Sequence, residues 1–175
     1  MAWRVLTYRL SGDESRHRVA VWRELRRVGA VALQSATWAV PVGDPFDEGL
    51  ERAVALVKRS GGQALCFEVS TSEETLAAIE ALYTAEREAE WVELCAECDK
   101  TEAELRGEIG KEKFTLAELD EEEQNVDRLR RWCRELRAKD LFGAASATLA
   151  ERHLKDCAEL LETFAEHVYE ARGRP

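Results

Sequence analysis

Proline is scarce, with three in 175 residues, and no apolar stretch is long enough to cross a bilayer. Residues 1 to 10 hold no signal-like apolar run, so neither a secreted nor a membrane-spanning protein is expected. Cysteine is present in an odd number, at Cys66, Cys95, Cys98, Cys133 and Cys157. Without a signal peptide, five cysteines suit reduced thiols in the cytoplasm better than a disulfide framework. Flavin, nicotinamide and HExxH motifs are all missing, so no cofactor and no catalytic residue is assigned. What remains is 45% hydrophobic and 34% charged, enough apolar surface for a core and enough charge for exposed helices.

The charge is uneven. The net value is −10, yet residues 1 to 42 carry seven arginines against Asp13, Glu14 and Glu24, a balance of +4. The remainder has 18 basic and 32 acidic residues, a balance of −14. Contact with phosphate or another anion therefore belongs first to the amino-terminal part.

Residues 3 to 10 alternate as a half-buried strand. Ser11 and Glu14 have the form of a capping box, which predicts a helix running to Gly29 with Val21, Leu25 and Val28 inward. Ala30 to Leu33 and Thr37 to Val40 read as extended chain, either a hairpin through Gln34-Ser35-Ala36 or one bulged strand ending at Pro41. A second helix carries Phe46, Leu50, Val54 and Val57 and stops at Gly61-Gly62. Residues 63 to 69 form the last strand. This order predicts an α+β fold: a ferredoxin-like βαββαβ domain over residues 1–70.

From Ser72 the period becomes 3.6. Leu76, Ile79, Tyr83, Arg87, Trp91, Leu94, Cys98, Leu105 and Ile109 follow one stripe to Gly110, roughly 50 Å of helix unless Gly107 breaks it. Thr115 and Glu118 form a capping box, with Phe114 and Leu119 as a hydrophobic staple; Leu119, Val126, Leu129, Cys133 and Leu136 point inward. After a break at residues 140–145, a last helix turns Leu154, Cys157, Leu161, Phe164 and Val168 inward. The expectation for residues 71–175 is an antiparallel helical bundle.

Three segments, RHRVAVWRELRRVGAVALQSATWAVP, KFTLAELDEEEQNVDRLRRWCRELRAKDLFGA and CAELLETFAEHVY, together resemble the amino-terminal domain of the ChrB chromate-resistance regulator family. The resemblance implies a cytoplasmic, non-enzymatic regulator of transcription that senses chromate or another oxyanion, or contacts DNA. Such proteins commonly carry a further carboxy-terminal domain, so a stand-alone version or a fragment is expected. The first 70 residues are also similar to phenylacetate-degradation repressors and to the small nucleases of CRISPR adaptation. The nucleases hold metal with an aspartate near the end of the first strand. Here YRLSGDES places Arg9 there, and Asp13 already has a capping role. No metal site is assigned.

Arg16, Arg23 and Arg27 fall at i, i+7 and i+11 opposite the inward stripe, with Arg26 beside them. This face is the candidate for DNA or anion contact, because guanidinium presents a planar fork to phosphate. Its ordinary explanation is a solvated face or ion pairing within the molecule. Arg87 and Glu122 each interrupt an apolar stripe, which predicts either a structural Arg–Glu pair or an oxyanion site. For the latter the candidates are Arg87, Arg128, Arg130 and Arg131. Cys95 and Cys98 form a CxxC inside a helix, where core packing is the better explanation than zinc or redox chemistry, and Cys98, Cys133 and Cys157 lie on inward stripes. His153 and His167 have no ligand spacing.

Two other functions remain beside the regulator: an interaction module whose acidic bundle binds another protein, and a thiol-based chromate reductase using Cys95 and Cys98. A small sheet of this kind has an edge strand with unpaired backbone groups, so a homodimer is expected.

Overall fold

The computed structural model describes residues 1–11 and 15–173. Its contacts divide the chain into two units, Met1–Tyr83 and Thr84–Pro175. The first holds β1 (Trp3–Arg9), α1 (Ser15–Val28), β2 (Val31–Gln34), β3 (Thr37–Pro41), α2 (Phe46–Arg59), β4 (Gln63–Glu68) and the opening turns of α3 (Glu73–Gly110). The four strands form one sheet in the order β2-β3-β1-β4, with every neighbouring pair antiparallel. The class is α+β.

Alternation decides what each sheet face carries. Leu6, Trp38 and Val40 point to one face and meet Val21, Leu25 and Val28 of α1 and Phe46, Leu50, Ala53 and Val57 of α2. Trp3, Val31 and Ala39 point to the other face and meet Ile79 and Tyr83. The Trp3 and Tyr83 rings lie edge to face, 5.3 Å apart at 73°. These contacts are why the division into units falls inside α3: its first three turns pack on the sheet.

Of the two sequence alternatives for residues 30–41, the structure takes the hairpin and not the single bulged strand. β2 and β3 form a hairpin, and its register shifts between Ala32 and Gln34, a bulge in β2. Ala36 in the turn takes φ 55°. α1 is described from Ser15, and the expected capping box falls on Glu14, which with Asp13 lies outside the described residues. Ser11 donates its hydroxyl to the Gly61 carbonyl. α2 ends as expected: Gly61 adopts φ 72°, and Gly62 N–H donates to Val57 O at 3.0 Å.

The second unit contains the rest of α3, α4 (Leu116–Lys139) and α5 (Ala147–Gly173). α3 has 38 residues and passes through Gly107 unbroken. Thr115 caps α4, its hydroxyl accepting from Glu118 N–H at 3.2 Å. The Glu118 carboxylate goes to Lys113 instead of back to Thr115, so only half of the capping box forms. Contacts along the helices fix their directions. Lys139 meets Glu90 and Arg128 meets Glu97, so α4 runs against α3; Arg137 pairs with Glu151, and Cys157 meets Cys98, so α5 reverses again. This is the antiparallel bundle its stripes predict, with Trp91, Leu94, Leu105, Val126, Leu129, Leu136, Phe164 and Val168 in the core.

Candidate functional site

The outer face of α1 is built by the same stripe that buries its inner one. With Val21, Leu25 and Val28 against the sheet, helical geometry turns Arg16, Val19, Arg23 and Arg26 to the opposite side. Arg16, Arg23 and Arg27 are exposed, and Arg26 is half-buried. Two apolar side chains share this surface: Val19, and Trp22 with 48% of its area exposed. Arg18, one turn before Trp22, is exposed as well.

Arg27 is placed differently from Arg23. Its guanidinium donates to Glu24 at 2.6 and 3.0 Å, and Arg52 from α2 donates to the same carboxylate at 2.8 Å. Burial opposes the charged form of Glu24, but the hydrogen bonds and charges of Arg27 and Arg52 outweigh it and hold the carboxyl below its usual range. This pairing at the α1–α2 seam ties Arg27 to the carboxylate of Glu24. Arg9, at the position of the nuclease aspartate, is also exposed and donates to Gln63 at 3.1 Å. Among the described residues, no group of three or more His, Cys, Asp or Glu is arranged to hold a metal ion.

The oxyanion candidates of the second unit are dispersed. Arg87 is fully buried, its Nε donating to Glu90 at 2.7 Å, and Glu90 also accepts from Lys139 at 3.1 Å. Arg128, Arg130 and Arg131 are exposed on α4; Arg128 reaches Glu97 at 3.6 Å and Arg130 reaches Asp127 at 3.0 Å. The expected buried pair exists, but its carboxylate is Glu90, one turn along the same helix, and not Glu122. Glu122 is buried elsewhere, with Asn125 at 3.5 Å. Burial pushes its carboxyl up, Asn125 opposes this, and the charges of Glu104, Glu121 and Glu108 add to the upward shift.

Next to Arg87 is a polar lock the stripes did not reveal. Asp140 accepts from Trp91 Nε1 at 2.9 Å and from the N–H groups of Gly143 and Ala144 at 3.0 and 2.9 Å. Glu88 accepts from Ser146 N–H at 3.1 Å and from its hydroxyl, and these bonds hold the Glu88 carboxyl below its usual range. Both contacts fasten the loop after α4 to α3.

Four of the five thiols are core residues. Cys95, Cys98, Cys133 and Cys157 are buried and Cys66 is exposed. Cys157 Sγ donates to the Cys98 carbonyl at 3.2 Å, and contact with that thiol together with burial pushes the Cys98 thiol far up. Burial raises the Cys95 and Cys133 thiols too. Enclosed and held protonated, Cys95, Cys98 and Cys133 are poor nucleophiles. His153 hydrogen-bonds Asp99 at 2.7 Å, and His167 stacks on Phe114 with 5.0 Å between ring centroids.

No helix among the described residues is long and apolar enough to cross a membrane. Compared with known families, residues 18–175 match the model described as "Protein ChrB, N-terminal". No curated protein matches the chain.

Proposed function

This chain belongs to the ChrB amino-terminal family, and from that premise we propose that it is a cytoplasmic, non-enzymatic regulatory protein of chromate resistance that contacts DNA through α1 and acts as a homodimer. The strand order β4-β1-β3-β2, with the two helices of the β1–β2 and β3–β4 crossovers on one face, supports a ferredoxin-like reading of the first unit. The observation that carries the DNA reading is the outer face of α1. It combines the guanidinium groups of Arg16, Arg23 and Arg26 with an exposed indole at Trp22, in a protein that is otherwise acidic. Guanidinium groups neutralise phosphates, and an accessible aromatic ring adds apolar contact with sugar or base.

In the bundle Arg87 is enclosed and paired with Glu90, while Arg128, Arg130 and Arg131 lie exposed on α4, with Arg128 near Glu97 and Arg130 near Asp127. Chromate or another oxyanion is assigned first to the α1 arginines, where an exposed indole stands beside them.

A fluorescence titration with promoter DNA from beside the gene tests the proposal. Binding should weaken steeply with salt, and changing Arg16, Arg23 and Arg26 together to Gln should reduce the log–log salt slope by roughly 2–3, about 0.9 for each phosphate no longer neutralised. The circular dichroism spectrum should not change, because these side chains lie opposite Val21, Leu25 and Val28. Absence of binding at low salt would remove the DNA reading and leave the acidic bundle as a protein-binding module.

A further inference from the structure

β4 is an edge strand without the usual protection. Among the described residues it pairs only with β1, and its six residues, Gln63–Glu68, contain no proline, lysine or bulge. The opposite edge, β2, is four residues long and bulged, which is how edges are normally blunted. Val69 N–H donates to Trp3 O at 2.9 Å. In an antiparallel ladder this assigns the N–H and C=O of odd-numbered β4 residues to β1 and turns those of Ala64, Cys66 and Glu68 outward. The side chains of Leu65 and Phe67, register partners of Thr7 and Val5, stand on the face that carries Trp3, and they are 60% and 51% exposed.

The charges along this edge are polarised. At the start of β4, Arg9, Lys58 and Gln63 line one surface hollow of about 570 Å³. Toward its end, Asp47 and Glu68 both contact Arg4, and the adjoining groove beside Cys66 is lined by Arg4, Asp47, Glu51 and Lys58, so that with Glu68 the carboxylates outnumber the cations there by three to two. An antiparallel copy reverses this order and lays the basic end of one edge on the acidic end of the other. A parallel copy would set like on like.

We propose that a second copy of this chain docks on β4 by antiparallel strand pairing about a two-fold axis at Cys66, joining two four-stranded sheets into one of eight. The register is chosen by the outward backbone groups. Centring on Cys66 pairs those of Ala64, Cys66 and Glu68 with Glu68, Cys66 and Ala64 of the second copy, and a shift by one pair in either direction leaves Ala64 or Glu68 facing a residue outside β4. It also opposes Leu65 with the second copy's Phe67 and Phe67 with its Leu65, and cross-strand apolar pairs stabilise a sheet. The surface is distinct from α1 and does not depend on DNA contact.

The same register places the two Cys66 residues directly opposite, where Cα separations suit a disulfide. Cys66 is also the one exposed cysteine of the five. Sedimentation of the full chain with diamide cross-linking is therefore decisive. Diamide takes up the two electrons and two protons as the thiols join. The expected result is a dimer that diamide converts to a covalent dimer; Cys66→Ser stays dimeric but does not cross-link. Leu65→Glu with Phe67→Glu should weaken the dimer roughly 30-fold or more with an unchanged circular dichroism spectrum. A monomer with no cross-link would overturn the proposal. So would a dimer that is indifferent to the two glutamates.

Discussion

The indole N–H of Trp91 donates to the Asp140 carboxylate at 2.9 Å across 49 residues of chain, while the same carboxylate accepts the N–H groups of Gly143 and Ala144. One side chain thus satisfies a buried ring nitrogen and closes the α4–α5 loop. Asp140→Ala should cost about 2 kcal/mol, because donors are left without acceptors. Asp140→Asn, which keeps one acceptor oxygen, should cost less. Urea unfolding of the two variants checks this, and equal losses would show that charge, not hydrogen bonding, holds the loop.

Gly49 sits where α1 and α2 touch. A Cβ at this position would lie 2.1 Å from Val28 Cγ2. In an open helix Gly→Ala gains about 1 kcal/mol, whereas overpacking costs about 1–3 kcal/mol. Gly49→Ala should therefore destabilise the protein in the native background, and destabilise it less once Val28→Ala has removed Cγ2, the nearer of the two clashing atoms, while the Val28 Cβ at 2.6 Å stays. Thermal unfolding of the two single variants and the double variant forms the cycle. A gain in both backgrounds would mean that the helices separate freely.

Glu122 makes stability depend on pH in an unusual direction. Its buried carboxyl, raised by desolvation and by Glu104, Glu121 and Glu108 against the lowering by Asn125, keeps its proton to higher pH than in the unfolded chain. Between the unfolded value, about 4.3, and the higher folded one, the native state binds more protons, so this group's contribution falls as pH rises. Glu122→Gln should raise the melting temperature at pH 7 and leave it nearly unchanged at pH 4. A gain of equal size at both pH values would remove titration as its cause.

The parts that were legible in the sequence are those with a local signal. The stripe Val21, Leu25, Val28 and the cap at Thr115 appear where periodicity and capping place them. Periodicity identifies an apolar face but not what covers it, so Ile79 and Tyr83 read as bundle positions although they pack on Trp3 and Ala39. The same limit applies to charges. Arg87 was recognisable as a buried cation, but its choice of Glu90 over Glu122, and the part of Lys139, depend on how α3 and α4 meet. At the candidate site the arginines of α1 were legible and Trp22 was not, because an aromatic beside an apolar stripe looks like core until its exposure is known. The approach of Arg52 to Glu24 depends on α2 lying beside α1 and has no signal along the chain.

Arg87, Glu90 and Lys139 place two cations around one carboxylate, with Arg87 fully buried. Removing the carboxylate and removing one cation are unequal changes. Glu90→Gln removes a carboxylate that Arg87 and Lys139 share and should destabilise the protein, by at most about 3–5 kcal/mol, the usual range for breaking a buried ion pair. Arg87→Met leaves Glu90 with Lys139 and fills much of the same volume, so its cost should be smaller. The pair also separates the structural role from oxyanion binding. With Arg87 acting structurally, isothermal titration of chromate should give the same result for Arg87→Met as for the native protein. Loss of chromate binding in a folded Arg87→Met protein would return the oxyanion site to the bundle, with Glu90 as the group the anion displaces.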